Sequence, residues 1–222
     1  MSIATLPFTL ERVQDEEGLL EAAAVRSLSY GHHVENLRER FAIPDDIDHA
    51  IGTTVLLCRD KKSGEAVGTV RIQTSHRGRL LIDPCIELPA NLRSQPRAEM
   101  TRLSARPGAD PLVKVALWKA ILLFCQVEQV RWMIIGARND ALVRAYRSLG
   151  FKDLYPDGRL VSLPYAGDLP HRILALDVNA VERTWREANH RMYGFFFELE
   201  HPDISLMPRT PIRRSSTEEA RL

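Results

Sequence analysis

Glu99 and Arg102 stand three residues apart in AEMTRLSA (residues 98–105), and Arg71 stands inside the largely apolar run GTVRI (68–72). Upstream, Arg26 and Tyr30 share a helix face at i, i+4, and Asp45 and Asp48 fall in PDDID. One reading makes these residues ion pairs on a solvated face, where such pairs contribute little. The other makes Arg26, Arg71 and Arg102 line one cleft with Glu99, Asp45 and Asp48. Charges set in strands of a central sheet are hard to leave unpaired, so they belong to a network, and such networks often sit at sites. A carboxylate there can take a proton from an amine, and a guanidinium can hold a carboxylate in a fork.

Periodicity outlines the elements that must position these residues. Residues 15–41 read as helix, broken once near Gly31, with Leu19, Leu20, Ala23, Ala24 and Leu28 at helical spacing. Residues 53–59 and 66–73 are β-rich runs joined by KKSGE, a hairpin. Residues 74–97 hold Pro84, Pro89 and Pro96 and read as irregular, with one short strand at RLLID (79–83). A strand over 98–105 precedes a long helix over 111–129, with Pro111 in its first turn. VRWMIIG (130–136) is a buried-type strand. Asn139 or Asp140 caps the next helix, which Gly150 stops. RILALDV (172–178) is a strand, and 181–197 reads as helix. The order predicts an α/β (α+β) fold, one central mixed sheet flanked by helices. Residues 1–207 are expected to form the domain, and 208–222, with little to bury, a disordered tail.

RNDALVRAYRSLGFKD (138–153) places Asn139 at a helix start, Tyr146 seven residues later, then Gly150 and Phe151. As a bare pattern it is a capped amphipathic helix with a core Tyr. In its position, one helix and one strand after AEMTRLSA, it resembles the fourth-helix signature of the GCN5-related N-acetyltransferase superfamily. The N-terminal half narrows the resemblance. Arg-x3-aromatic, Asp-x2-Asp, Gly-x2-Arg and Glu-x2-Arg, in that order, are similar to the long-chain N-acyl amino acid synthases and the acyl-homoserine-lactone synthases. The ending FFFELEHPDI (195–204) resembles the former. HHVENLRERF (32–41) lacks the Trp that lactone synthases carry, and Ile43-Pro44 stand where those enzymes favour an acid. Both departures speak against S-adenosylmethionine as acceptor.

The resemblance implies a single GCN5-related acyltransferase-like domain with a mostly antiparallel sheet. It implies no bound cofactor and an acyl-phosphopantetheine thioester as co-substrate. The catalytic residues are then Glu99, the general base directly or through water, Tyr146, the acid for the leaving thiolate, and Arg102, with Arg26, Arg71 or Arg102 holding the acceptor's carboxylate in a bidentate fork. Arg26, Tyr30, Asp45, Asp48 and Arg71 are expected around the amine or amino acid acceptor. Leu103, Ser104 and Ala105 pair with the pantetheine amides as an added strand, with Arg106, Gly108 and Asn139 nearby. Acetyl-CoA enzymes of the superfamily wrap the pyrophosphate in a glycine-rich loop. Residues 106–111 thin that loop, since Pro107 and Pro111 lack N–H donors and Asp110 is negative. A carrier-protein donor presents only one phosphate. An acyl-carrier protein is therefore the expected partner, met by Arg93, Arg97, Arg106 and Lys114, with acyl-CoA the alternative. Trp118, Leu122, Phe124, Trp132, Met133 and residues 195–197 are candidates for an acyl groove.

Composition closes off other classes. A net charge of +1 gives no overall pull toward nucleic acid. No run of 18 apolar residues predicts a membrane span, and the first residues lack the pattern of a signal peptide. Cys58, Cys85 and Cys125 include no CxxC pair and read as small apolar residues of a reducing compartment. His32, His33, His49 and His76 have no metal-ligand spacing. The expectation is a cytoplasmic bacterial enzyme. Its rivals are a lactone autoinducer synthase, an exosortase-associated acyltransferase and a non-catalytic acyl-binding module of the same fold.

Overall fold

A computed structural model describes residues 2–32 and 36–207. The tail expected at 208–222, and His33, lie outside the described residues. The chain opens with β1 (Ser2–Ile3), β2 (Phe8–Arg12), α1 (Glu16–Gly31) and the short α2 (Asn36–Arg40). The hairpin β3 (Thr53–Asp60) and β4 (Ala66–Thr74) follows, then α3 (Ala90–Arg93), β5 (Arg97–Ala105) and α4 (Leu112–Val127). Next come β6 (Trp132–Ala137), α5 (Asp140–Ser148), β7 (Lys152–Asp153), β8 (Val161–Leu163) and β9 (Leu169–Asp177). The described chain closes with α6 (Val178–Glu187), β10 (Leu199–Glu200) and β11 (Ile204–Ser205).

The main sheet has the order β11-β2-β3-β4-β5-β6-β9-β7, with β8 added on β9. Its pairs are antiparallel except β11–β2 and β5–β6. The mixed, mostly antiparallel sheet is as predicted. Along β5, Ala98 and Met100 enter the large core with α4. Period-two alternation puts Glu99 on the opposite face, toward α1 and the 80s loop. α4 crosses β4 at Gly68, where a Cβ would lie 2.4 Å from Val113 Cγ1 and 3.1 Å from Leu117 Cδ1. That close approach accounts for the glycine of Gly-x2-Arg.

The parting of β5 from β6 creates the site. The two strands pair from Arg97–Trp132 only to Met100–Ile135. Beyond that, β5 follows β4 as far as Ala105–Gly68, and β6 follows β9 as far as Ala137–Arg172. The β4–β5 register jumps between Thr69–Ser104 and Arg71–Thr101, so Arg102 and Leu103 face the single residue Val70. Arg102 absorbs this bulge with φ +59.

Two sequence expectations change. RLLID is a run of turns, because Leu80 and Ile82 are drawn into the second core cluster and Asp83 accepts the Leu80 N–H (3.1 Å). The helix expected over 181–197 begins at Val178 and stops after Glu187. Asn189 turns left-handed (φ +48), and His190 donates its N–H to the Trp185 carbonyl (2.9 Å) and stacks on the Trp185 indole at 3.9 Å. The chain re-forms one π turn over Gly194–Glu198. Lys119 of α4 fixes that turn, donating from Nζ to the Phe195 carbonyl (2.8 Å) and the Leu199 carbonyl (2.6 Å). At the start, β1 and β2 precede the first helix, and β2 joins the main sheet.

Gly68→Ala is expected to lower folding stability by about 1–3 kcal/mol through overpacking against α4. A lowered urea midpoint with an unchanged slope is the check.

Candidate active site

A cleft of about 690 Å³ opens where β5 and β6 part. Glu99 and Arg102 line it from β5, Tyr30 from α1, Asn139 from the cap of α5 and Tyr146 from α5 itself. Glu99 is 1% exposed. Both its oxygens are held: Ile82 N–H donates to Oε2 (2.9 Å) and the Tyr165 hydroxyl donates to Oε1 (2.5 Å). Burial pushes its carboxyl up to about 7, against the opposing pull of the Tyr165 and Ile82 hydrogen bonds and the Arg71 charge. Tyr146 packs its ring edge-on to Trp118 at 5.7 Å and near Phe151 at 6.0 Å, and burial raises its phenol. Its hydroxyl makes no hydrogen bond to the described residues, so it can serve a ligand.

Arg102 lies over the Phe41 ring at 4.1 Å and donates from Nη2 to the Tyr165 carbonyl (3.2 Å). Its Nε is buried without a partner among the described residues. Tyr30 packs on the same Phe41 ring, with centroids 4.7 Å apart.

Arg26, Arg71, Asp45 and Asp48 do not line the cleft; they form an ion network behind it. Arg26 donates to Asp48 Oδ2 at 2.7 Å, and Arg71 donates to Asp45 Oδ1 at 2.5 Å and reaches Asp48 Oδ1 at 3.5 Å. Arg71 also donates from Nε to Thr101 (2.9 Å), fixing the strand segment just before the bulge. Burial alone would raise the Asp48 carboxyl. The hydrogen bond and charge of Arg26, with Arg71 and the Asp45 N–H, outweigh it and hold the group below its ordinary value. Asp45 bridges network and cleft, lying 3.8 Å from Arg102 Nη2.

The expected donor-binding residues divide. Leu103 and Asn139 line the cleft, Asn139 also capping α5 by accepting the Leu142 N–H at 2.9 Å. Ser104 and Ala105 are paired with Thr69 and Gly68 of β4, and the Ser104 hydroxyl donates to the Arg102 carbonyl. Arg106 is turned to Glu65 (2.9 Å), and Gly108 lies off the cleft. Of the cations expected at the mouth, Lys114 alone lines the cleft. Arg93 donates to the Leu88 carbonyl and Arg97 pairs with Asp83. Arg40 and Arg138, which sequence reasoning did not single out, line the cleft instead. Among the described residues, Glu99 is the one acid lining it.

The expected acyl groove is solid core. Trp118, Leu122 and Met133 close with Trp185 and Phe196 around a void of only about 20 Å³. Phe124 is core, Phe195 and Phe197 pack on it, and Trp132 borders a separate hollow of about 340 Å³. The apolar walls of the cleft include Leu37, Phe41, Leu103, Leu142, Leu163 and Leu169.

Sequence reasoning missed Tyr165 and the hairpin that carries it. β8 pairs with Leu169–His171 of β9, and Pro164–Ala166 form a 3-10 turn between the strands. Gly136 of β6 makes room for it, since a Cβ there would lie 3.0 Å from Leu163 Cδ1 and 3.3 Å from His171 Cδ2. Pro164, Gly167 and Asp168 give a local turn signal; nothing local says that residue 165 meets residue 99.

Comparison with solved structures gives the fold. FeeM, an N-acyl amino acid synthase from uncultured soil microbes, aligns with a TM-score of 0.59 at 14% identity, covering 85% of this chain and 97% of that one. BjaI, a CoA-dependent acyl-homoserine lactone synthase solved with SAM and isopentyl-CoA, aligns at 0.58 and 16% identity, covering 91% and 95%. The acyl-homoserine lactone synthase LasI aligns at 0.55 and 14%, covering 78% and 90%. The chain has the GCN5-related acyltransferase fold. No protein-family model matches the sequence, and no curated protein matches it. Among the described residues, no helix is long and apolar enough to cross a membrane.

Two outcomes follow from these electrostatics. Glu99 binds its proton more tightly folded than unfolded, so its contribution to stability is full below pH 4.5 and is lost as pH rises through about 7. At roughly 1.4 kcal/mol per pKa unit, the stability of Glu99→Gln relative to wild type is expected to rise by about 3 kcal/mol over that window. Asp48 has the opposite sign and cancels, being common to both proteins. Urea titrations at pH 4.5 and 8 measure the difference. Asp48→Asn, which leaves Arg26 and Arg71 under-compensated in a buried place, is expected to cost about 3–5 kcal/mol at pH 7, read from the same titrations.

Proposed function

We propose that this protein is an N-acyltransferase that moves a medium- or long-chain fatty acyl group from a carrier-protein thioester to the amine of an amino acid. The observation that carries the reading is Glu99: a buried carboxylate on a cleft wall, poised near pH 7 and held at both oxygens. Proton transfer is most effective when the base has a pKa near the working pH. An amino acid arrives as an ammonium ion and must lose a proton before its nitrogen can attack the thioester carbon. Glu99 receives that proton. Nitrogen then attacks, the C–S bond breaks, Tyr146 protonates the departing thiolate, and the nitrogen's second proton restores the Tyr146 phenol.

The donor's extended pantetheine arm finds a strand edge at β5 beyond Met100, where β6 no longer pairs. The leucine walls suit an acyl chain. Arg102, with a spare buried Nε and a guanidinium at the cleft surface, is the group for the acceptor's carboxylate. Arg26 and Arg71 are committed to Asp48 and Asp45, and they act by holding β5 and the Asp45 loop in place. A carrier protein is favoured over CoA by the loop before α4. There Asp110 accepts the Leu112 N–H at 2.8 Å, taking a donor that a diphosphate would need. Arg40, Lys114 and Arg138 remain at the cleft for a single phosphate and an acidic partner.

Mass spectrometry of lipid extracts from bacteria expressing the protein, wild type beside Glu99→Gln, tests this. New N-acyl amino acids, reduced by about 100-fold or more in the variant, are the expected result. Acyl lactones in their place would assign the chain to the signalling branch. Absence of any new product from folded wild type, with purified acyl-carrier-protein and acyl-CoA donors also inert, would overturn the reading.

A further inference from the structure

Tyr165 occupies an unusual place for a residue outside every motif of the sequence. Its hydroxyl donates to Glu99 Oε1 at 2.5 Å, and its backbone carbonyl accepts from Arg102 Nη2 at 3.2 Å. One residue therefore holds both charged groups that β5 presents to the cleft, and its own side chain lines that cleft. Ile82 N–H takes the other Glu99 oxygen. A substrate amine approaching Glu99 meets a carboxylate with a donor on each oxygen, and the phenol oxygen beside it keeps free lone pairs.

We propose that Tyr165 is a catalytic residue that relays the acceptor's proton to Glu99. This rests on the acyl-transfer reading. In the relay, an ammonium N–H of the acceptor donates to Tyr165 Oη. As that proton crosses to the phenol oxygen, the Tyr165 hydroxyl proton crosses to Glu99 Oε1. The amine is left neutral, the phenol is unchanged in net protonation, and Glu99 is the neutral acid. The amine lone pair then forms the N–C bond. The C–S bond breaks as Tyr146 gives its proton to the thiolate, the second amine proton passes to Tyr146 and restores its phenol, and Glu99 returns its proton to solvent. No oxidant or further reactant is needed. The phenol stays protonated between turnovers, because burial and the facing Glu99 charge both disfavour a phenolate.

The hairpin explains how a phenol can be held so closely. β8 is locked to β9 over three residue pairs, Gly167 and Asp168 turn the chain with φ +78 and +57, and Leu163 and His171 pack on Gly136. The Arg102 bond to the Tyr165 carbonyl then fixes the ring's starting point over β5.

Tyr165→Phe tests the relay, since it keeps the ring and removes the hydroxyl. Two readouts are taken on purified protein: steady-state acyl transfer over pH 5–9, and titration of the Glu99 carboxyl by infrared difference spectroscopy, which needs no turnover. The hydroxyl lowers the Glu99 pKa, so its loss is expected to move the carboxyl midpoint above about 7, in spectrum and in the kcat profile alike. We expect kcat to fall by about 100-fold with the donor's KM unchanged. If that variant does not fold, 3,5-difluorotyrosine at position 165 replaces it. The more acidic phenol donates more strongly and should move the midpoint downward. An unchanged kcat in Tyr165→Phe overturns the relay whatever the midpoint does, and a fall in kcat without a midpoint shift reduces Tyr165 to a packing role. A wild type without product overturns the acyl-transfer reading, and the relay with it.

Discussion

Arg102 and Leu103 oppose the single residue Val70, and the cleft depends on that extra residue in β5. A bulge bends its strand and sharpens the local twist. Here it coincides with the point where β5 leaves β6 and keeps to β4. A left-handed backbone at a non-glycine residue costs about 1–2 kcal/mol. Arg102 has compensation on both sides, since its guanidinium stacks on Phe41 and its Nη2 is tied to the Tyr165 carbonyl. The strained residue and the charge that β5 presents to the cleft are thus the same residue.

The ion network behind β5 makes that distortion durable. Asp48 joins Arg26 of α1 to Arg71 of β4, and Arg71 reaches both the Asp45 loop and Thr101. Four segments distant in sequence meet at two carboxylates and two guanidiniums. Such clusters add little net stability, because desolvating the ions costs nearly what their attraction returns. Their use here is geometric. Each partner is intolerant of displacement, so the strand that carries Glu99 and Arg102 has one register.

Much of this was legible in the sequence, where the signals are local. The KKSGE turn announces the β3–β4 hairpin, Asn139 caps α5, and the charges of β5 had to find partners because their strand was apolar. Pattern reasoning placed Arg26, Arg71 and Asp48 in one network correctly, but set it in the cleft wall. Whether a buried arginine faces a cavity or lies behind it depends on packing that no spacing encodes. Aromatic residues misled in the opposite direction. Trp118, Leu122 and Met133 close the core, while leucines that attract no notice line the cleft. The role of the 161–171 hairpin has no local signal, because its meaning is a contact across 66 positions, between Tyr165 and Glu99. The end of α6 has a local signal, since Asn189 is a residue type that favours the left-handed stop.

The pairing of β11 with β2 bears on how the protein is made. β2 is an early strand, with Phe8 and Leu10 fully inside the core. One side of it is covered by β3. The other is covered by residues 203–205, where Leu10 N–H donates to the Asp203 carbonyl and Leu6 N–H to the Asp203 carboxylate. The Lys119 tether to Phe195 and Leu199 also waits for those late residues. A nascent chain that already holds its whole cleft, through residue 177, therefore still exposes a bare strand edge, the kind of template that invites pairing with another chain. Residues 203–205 act as the seal, and the interval before they emerge is when the polypeptide is most open to aggregation.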